Sequence, residues 1–222
     1  MDWSGEWWVL ILGPGLVILT VGILYFTRSR AFRFRSAAAQ LGFIALQGLH
    51  PISEEDKNKS DFFSKGGKIS NLFGDRVNSP SRLIFDWTGA LGSSPQTSAK
   101  NTQTIAAFAV SGSGIPDFRM SPVDALGGVR ANLDPQPLHF DSHPDFGRRY
   151  TLAARNEAAA RAFFNLSFLD RLTARDPKAM WSVEKAGSWL LVYRRDFLFP
   201  PQSIPESWQN AQALADLFLA PR

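Results

Sequence analysis

Residues 179–195, AMWSVEKAGSWLLVYRR, decide how this chain is read. Ala179 to Lys185 and Ser188 to Arg195 read as two strands turning at Ala186-Gly187. Leu190, Leu191, Val192 and Tyr193 are apolar at consecutive positions, so both faces of the second strand need cover and it belongs inside a sheet. Just downstream, Ser203-Ile204-Pro205-Glu206 carries a helix start: a serine cap, a proline in the first turn and a glutamate three residues after the serine. Ile204, Trp208, Ala211, Leu214 and Phe218 then form one apolar stripe that must lie against the sheet.

Working upstream, Arg149 to Ala154 reads as a strand that leads into a helix over Glu157 to Phe164 capped by Asn156. Ser167, with Asp170 three residues on, reads as the cap of a second short helix through Arg175. Earlier still, Lys68 to Val77, Arg82 to Thr88, Gln103 to Val110 and Asp117 to Met120 read as strands. Leu83, Phe85 and Trp87 alternate with Ile84, Asp86 and Thr88, so one face of that strand is core. Gly89 to Thr102 is a glycine- and serine-rich connection. Asn132 to Asp145 holds three prolines and reads as an irregular crossing. Strands first, then β-α-α-β-β-α, imply an α+β domain over 61–222 with a largely antiparallel sheet packed by a C-terminal helix.

A different kind of segment precedes this domain. Residues 7–26, WWVLILGPGLVILTVGILYF, carry no charge and as a helix span about 30 Å, the thickness of a bilayer core. Asp2 and Glu6 lie before it, and Arg28, Arg30, Arg33 and Arg35 follow. By the positive-inside rule this predicts a single-pass inner-membrane anchor with residues 1–6 outside and the C-terminal domain cytoplasmic. A cleaved signal peptide has its basic residues before the apolar run, the reverse of this order. Trp3, Trp7 and Trp8 suit the outer interface and Tyr25 the inner one. Residues 27–60 read as a basic stalk and linker. Phe34, Ala38, Leu41 and Ala45 mark one helical face, His50-Pro51 stops it, and Ser53 to Ser60, SEEDKNKS, is polar.

The net charge of +4 is concentrated in that stalk. From Ser36 onward 20 Lys and Arg face 18 Asp and Glu. The four arginines therefore suit the lipid bilayer and its anionic headgroups, and nucleic acid is not an expected partner. With no cysteine, disulfides, thiolate metal sites and cysteine nucleophiles are excluded.

The three histidines are His50, His139 and His143. In an extended chain His139, Asp141 and His143 project to one side, a ligand set for zinc or iron. The same residues also suit a proline-rich turn. Gly66-Gly67-Lys68 lacks the serine or threonine and the earlier glycine of a phosphate loop. Ser111 to Gly114 lacks the glycine spacing of a nucleophile elbow. Trp87, Trp181, Trp189 and Trp208 occur at core spacing. The resulting expectation is a non-enzymatic, membrane-anchored cytosolic binding or scaffold module for an unknown protein or lipid partner, without cofactor. A metal-assisted hydrolase at His139, Asp141 and His143 is the alternative.

Several short motifs in order, Ala39 to Phe43 (AQLGF), Leu83 to Trp87 (LIFDW), Gln103 to Phe108 (QTIAAF), Ile115 to Phe118 (IPDF), Phe140 to Tyr150 (FDSHPDFGRRY) and Trp189 to Tyr193 (WLLVY), precede the C-terminal helix. In these the chain resembles an uncharacterised family of bacterial single-pass membrane proteins with a cytosolic domain. The resemblance covers most of the chain. It implies an anchored α+β domain and supplies no catalytic residues.

Overall fold

The alternation along 83–87 is realised as a strand with two apolar faces, and the sheet built around it is covered on both sides. The computed structural model describes residues 20–23, 25, 30–46, 48, 51–60, 63, 66–90, 100–110, 114–123, 136–176, 178 and 180–220. Among the described residues nine strands form one sheet: β1 (Ile44–Ala45), β2 (Lys68–Gly74), β3 (Arg82–Ala90), β4 (Lys100–Ala109), β5 (Phe118–Pro122), β6 (Pro137–Leu138), β7 (Tyr150–Ala153), β8 (Ser182–Ala186) and β9 (Trp189–Tyr193). Their order is β1-β2-β3-β4-β9-β8-β5-β7-β6, and every pairing is antiparallel. The helices are α1 (residues 30–40), α2 (Glu54–Lys59), α3 (Pro144–Arg149), α4 (Glu157–Phe163), α5 (Leu166–Arg175) and α6 (Ile204–Leu219). The α+β class, the large antiparallel sheet and the C-terminal helix agree with the sequence.

Ile84, Ala106, Phe108, Leu190 and Val192 face the larger core, which the helices close. Trp208 of α6 packs against Phe108 and, edge to face, against Phe43, with centroids 5.0 and 4.8 Å apart. Leu83, Phe85, Trp87, Ile105 and Leu191 point the other way, where Leu46 and Ile52 bury against them. Internal burial of β9 on both faces follows, as its unbroken apolar run requires.

The core begins earlier than residue 61. Phe34, Ala37 and Ala38 of α1 are buried in it, and Phe34 stacks on Phe73 of β2 at 5.5 Å. α1 ends at residue 40 because Gly42, at φ 76°, closes a Schellman motif in which Gly42 N–H donates to Ala39 O and Phe43 N–H to Ala38 O. The chain then returns along the sheet edge as β1, where a stalk was expected.

Local differences from the sequence reading have physical causes. The hairpin turns one residue later, at Gly187-Ser188, because Gly187 adopts φ 57° where a Cβ would stand 1.9 Å from Asp56 Oδ1. α5 is capped by Asn165 rather than Ser167, its side chain accepting from Phe168 N–H at 3.0 Å, and this start turns Phe168, Leu169 and Leu172 inward. Ser203 makes no side-chain cap. Its hydroxyl donates back to Pro200 O within the 3-10 turn Pro201–Ser203 that leads into α6. The proline-rich crossing contains a two-residue edge strand at Pro137, where a missing donor is tolerated, and a short helix that Pro144 starts. No helix among the described residues is long and apolar enough to cross a membrane. The expected span over 7–26 lies largely outside the described residues.

Candidate functional site

A charge in a strand buried on both faces needs a partner. Asp86 of β3 is that charge, buried among the apolar residues of LIFDW. Arg30 of α1 meets it with two bonds, Nε to Oδ2 at 3.1 Å and Nη2 to Oδ1 at 3.0 Å, while Nη1 donates to Phe199 O at 3.0 Å. Asn71 Nδ2 donates to Oδ2 at 2.8 Å and Thr104 Oγ1 to Oδ1 at 2.7 Å. Thr104 Oγ1 in turn accepts from Phe199 N–H at 2.9 Å. Asn71 reaches Asp86 from a bulge in β2, at φ 50°, a conformation asparagine tolerates. This bidentate, multiply bonded pair fixes α1 against the sheet.

Fixing α1 creates a groove. It is lined by Ala31, Phe32 and Arg35 of α1, by Ile69 to Phe73 of β2, and by Leu46 and Ile52 between them in the chain. Lys57 of α2 also lines it, and the volume of this open groove is about 570 Å³, within the range of small-molecule sites. The lining is mostly apolar. Among the described residues its two charged members are the cations Arg35 and Lys57, and no carboxylate lines it. Lys57 Nζ lies 2.6 Å from Glu54, whose side chain is exposed, so that pair is weak and exchangeable. Arg35 is exposed and has no ion-pair partner among the described residues. Phe32, 73 % exposed, stands at the rim.

The four arginines expected at a membrane surface therefore divide. Arg30 is committed to Asp86, its side chain only 18 % exposed. Arg33 and Arg35 are exposed, and Arg28 lies outside the described residues. The three histidine-loop residues also separate in role. His139 is exposed, and its carbonyl accepts from Arg161 Nη1 at 2.8 Å; Asp141 is exposed in a turn. His143 is the residue before α3, with Nδ1 3.6 Å from Asp170 Oδ1. No group of three or more His, Asp or Glu that could hold a metal exists among the described residues, which include all three.

In the Gly66-Gly67 pair, Gly67 has a packing role. A Cβ on Gly67 would fall 2.3 Å from Trp87 Nε1, and one on Gly89 would fall 2.1 Å from Trp87 Cζ2, so the two glycines make room for the indole. A further buried polar centre pairs Tyr150 with Asp176. Tyr150 OH donates to Asp176 Oδ2 at 2.6 Å, and Trp181 N–H donates to the same oxygen at 3.0 Å. Burial, and then the hydrogen bond to Asp176, push the Tyr150 phenol well above its ordinary range.

Sequence reasoning missed Asp86, Asn71 and Lys57. A signal existed for Asp86, since a carboxylate at an inward position of an alternating strand demands a partner. Arg30, 56 residues away, could not be chosen from four arginines by spacing. No family model matches the sequence, and no curated protein matches it.

Proposed function

We propose that this chain is a membrane-anchored cytosolic binding module, non-enzymatic, that takes its partner in the groove between α1 and β2. What supports this most is the place of the groove on α1, the helix that the uncharged stretch 7–26 leads into. A site built there lies at the membrane-proximal end of an anchored domain, and the Arg30–Asp86 pair keeps it preformed. In this arrangement Arg28, Arg33 and Arg35 attract anionic headgroups at roughly 1 kcal/mol each. Residues 1–6 lie outside the inner membrane and the domain lies in the cytoplasm. Of the buried carboxylates, Asp86 and Asp176 each accept hydrogen bonds on both oxygens, which suits structure better than proton transfer.

Membrane fractionation and protease protection test the reading. The full chain is expected to resist carbonate and high-salt washing, to be released by detergent, and to be shielded from protease in intact spheroplasts. Release without detergent overturns the anchor. Digestion of the domain from outside overturns its orientation.

A further inference from the structure

The groove on α1 has a mainly apolar lining whose charged members among the described residues are the cations Arg35 and Lys57, and we infer that it binds a long-chain carboxylate, a fatty acid drawn from the adjoining bilayer leaflet. This inference rests on the anchored reading above for the source of the ligand, and on the groove alone for its chemistry.

Charge complementarity selects the head. Arg35 and Lys57 are the charged groups of the lining, and a guanidinium matches a planar carboxylate with two parallel bonds. Arg35 has no partner among the described residues to give up, and Lys57 exchanges one exposed carboxylate for another. Size and polarity select the tail. Leu46, Ile52, Leu72 and Phe73 offer a mainly apolar trough of about 570 Å³, enough for a single chain.

An added peptide strand fits less well. β1 pairs with Phe73 and Gly74 and Leu46 N–H donates to Leu72 O, so among the described residues the ladder on the outer edge of β2 stops short of Lys68. The register of β2 shifts between Ser70 and Phe73, and Asn71 sits at φ 50°. A bulge of this kind breaks the row of donors and acceptors that an incoming strand needs.

The test uses the full chain in nanodiscs of zwitterionic lipid, with palmitate carrying a chain diazirine as the probe and its methyl ester as the uncharged control. After irradiation, labelled peptides are identified by mass. The acid is expected to label peptides holding residues 46–52 and 69–73, with the ester roughly tenfold weaker there. The double variant R35E/K57E and the groove-filling Leu72→Trp should each lower groove labelling by about tenfold, with circular dichroism showing that both remain folded. Unlabelled palmitate should compete. Equal labelling by acid and ester, labelling confined to 7–26, or groove labelling indifferent to both variants overturns the inference. A carbonate-resistant protein with an unlabelled groove loses the ligand and keeps the anchor. A carbonate-released protein with a labelled groove loses the anchor and keeps the ligand chemistry.

Discussion

The guanidinium of Arg30 holds both carboxylate oxygens of Asp86, across 56 residues of sequence, so the first helix of the domain is bound to a central strand of its sheet. Removing one member of a buried pair strands the other, at a cost of about 3–5 kcal/mol. Arg30→Met should therefore lower stability by that order in a chain beginning at residue 30. Asp86→Asn added to Arg30→Met should cost less than the sum of the two single changes, as coupled groups do. A fragment beginning at Ser53 lacks Arg30, Phe34, Phe43, Leu46 and Ile52, all but the first of them buried. It should show no cooperative melt, whereas a two-state melt equal to that of the longer chain would mean α1 is dispensable.

Tyr150 and Asp176 give a second, independent fastening. Replacing Tyr150 by Phe leaves the Asp176 carboxylate without its phenolic donor and should cost ~1.5–3 kcal/mol, the range for a bond to a charged group. Because the folded phenol is raised above its unfolded value near ~10, its stabilisation is whole below that pH and is lost as pH climbs through the folded value. Ultraviolet titration of the wild type against Tyr150→Phe should show that the Tyr150 phenol ionises only with unfolding. Ordinary titration of all three would contradict the buried bond.

Asp75 closes the turn between β2 and β3. Burial alone would raise its carboxyl, but bonds from Ser81 Oγ, Arg82 N–H and Ser81 N–H outweigh that and hold it below the usual range. A lowered folded value means stabilisation present above the unfolded value near ~3.9 and lost as pH falls through the folded one. Asp75→Asn should therefore weaken the domain at pH 7 and flatten the acid limb of its stability curve. An acid limb identical to that of the wild type would show that other carboxylates govern it.

At Gly187 a turn and a helix compete for the same space. Alanine there meets Asp56 Oδ1 at 1.9 Å and must hold φ 57°, so Gly187→Ala should cost ~1–3 kcal/mol. The Ser188 amide, which donates to Asp56 Oδ1 at 2.7 Å, reports the event by hydrogen exchange. Faster exchange at Ser188 with β9 still protected is expected. Unchanged exchange would mean α2 moves aside freely.

The sheet was legible wherever side chains alternated or ran apolar without a break, as in Leu83 to Trp87 and Leu190 to Tyr193, because those patterns come directly from the pleat. The terminal helix was legible from Ile204, Trp208, Leu214 and Phe218, all of which are buried. Its cap was not, because Pro200 O captures the Ser203 hydroxyl. Phe34 and Ala38 were read as one face of a helix, yet periodicity does not say what covers a face, and a stalk and a core helix look alike. The groove was invisible for a related reason. It joins residues 31–35 to residues 69–73 through an ion pair that only the fold brings together. His139, Asp141 and His143 show the converse, a local spacing that the turn at Asp141-Ser142 does not gather into a site.

The most direct test of a binding function in the groove is site-specific photo-crosslinking in intact cells. A benzoylphenylalanine is placed at Ser70 in the groove and, as a control, at Glu206 on the exposed side of α6. A discrete adduct from position 70 that is lost with Arg35→Glu is expected, and none from position 206. Identical patterns from both positions, or an adduct at 70 that survives Arg35→Glu, would contradict it.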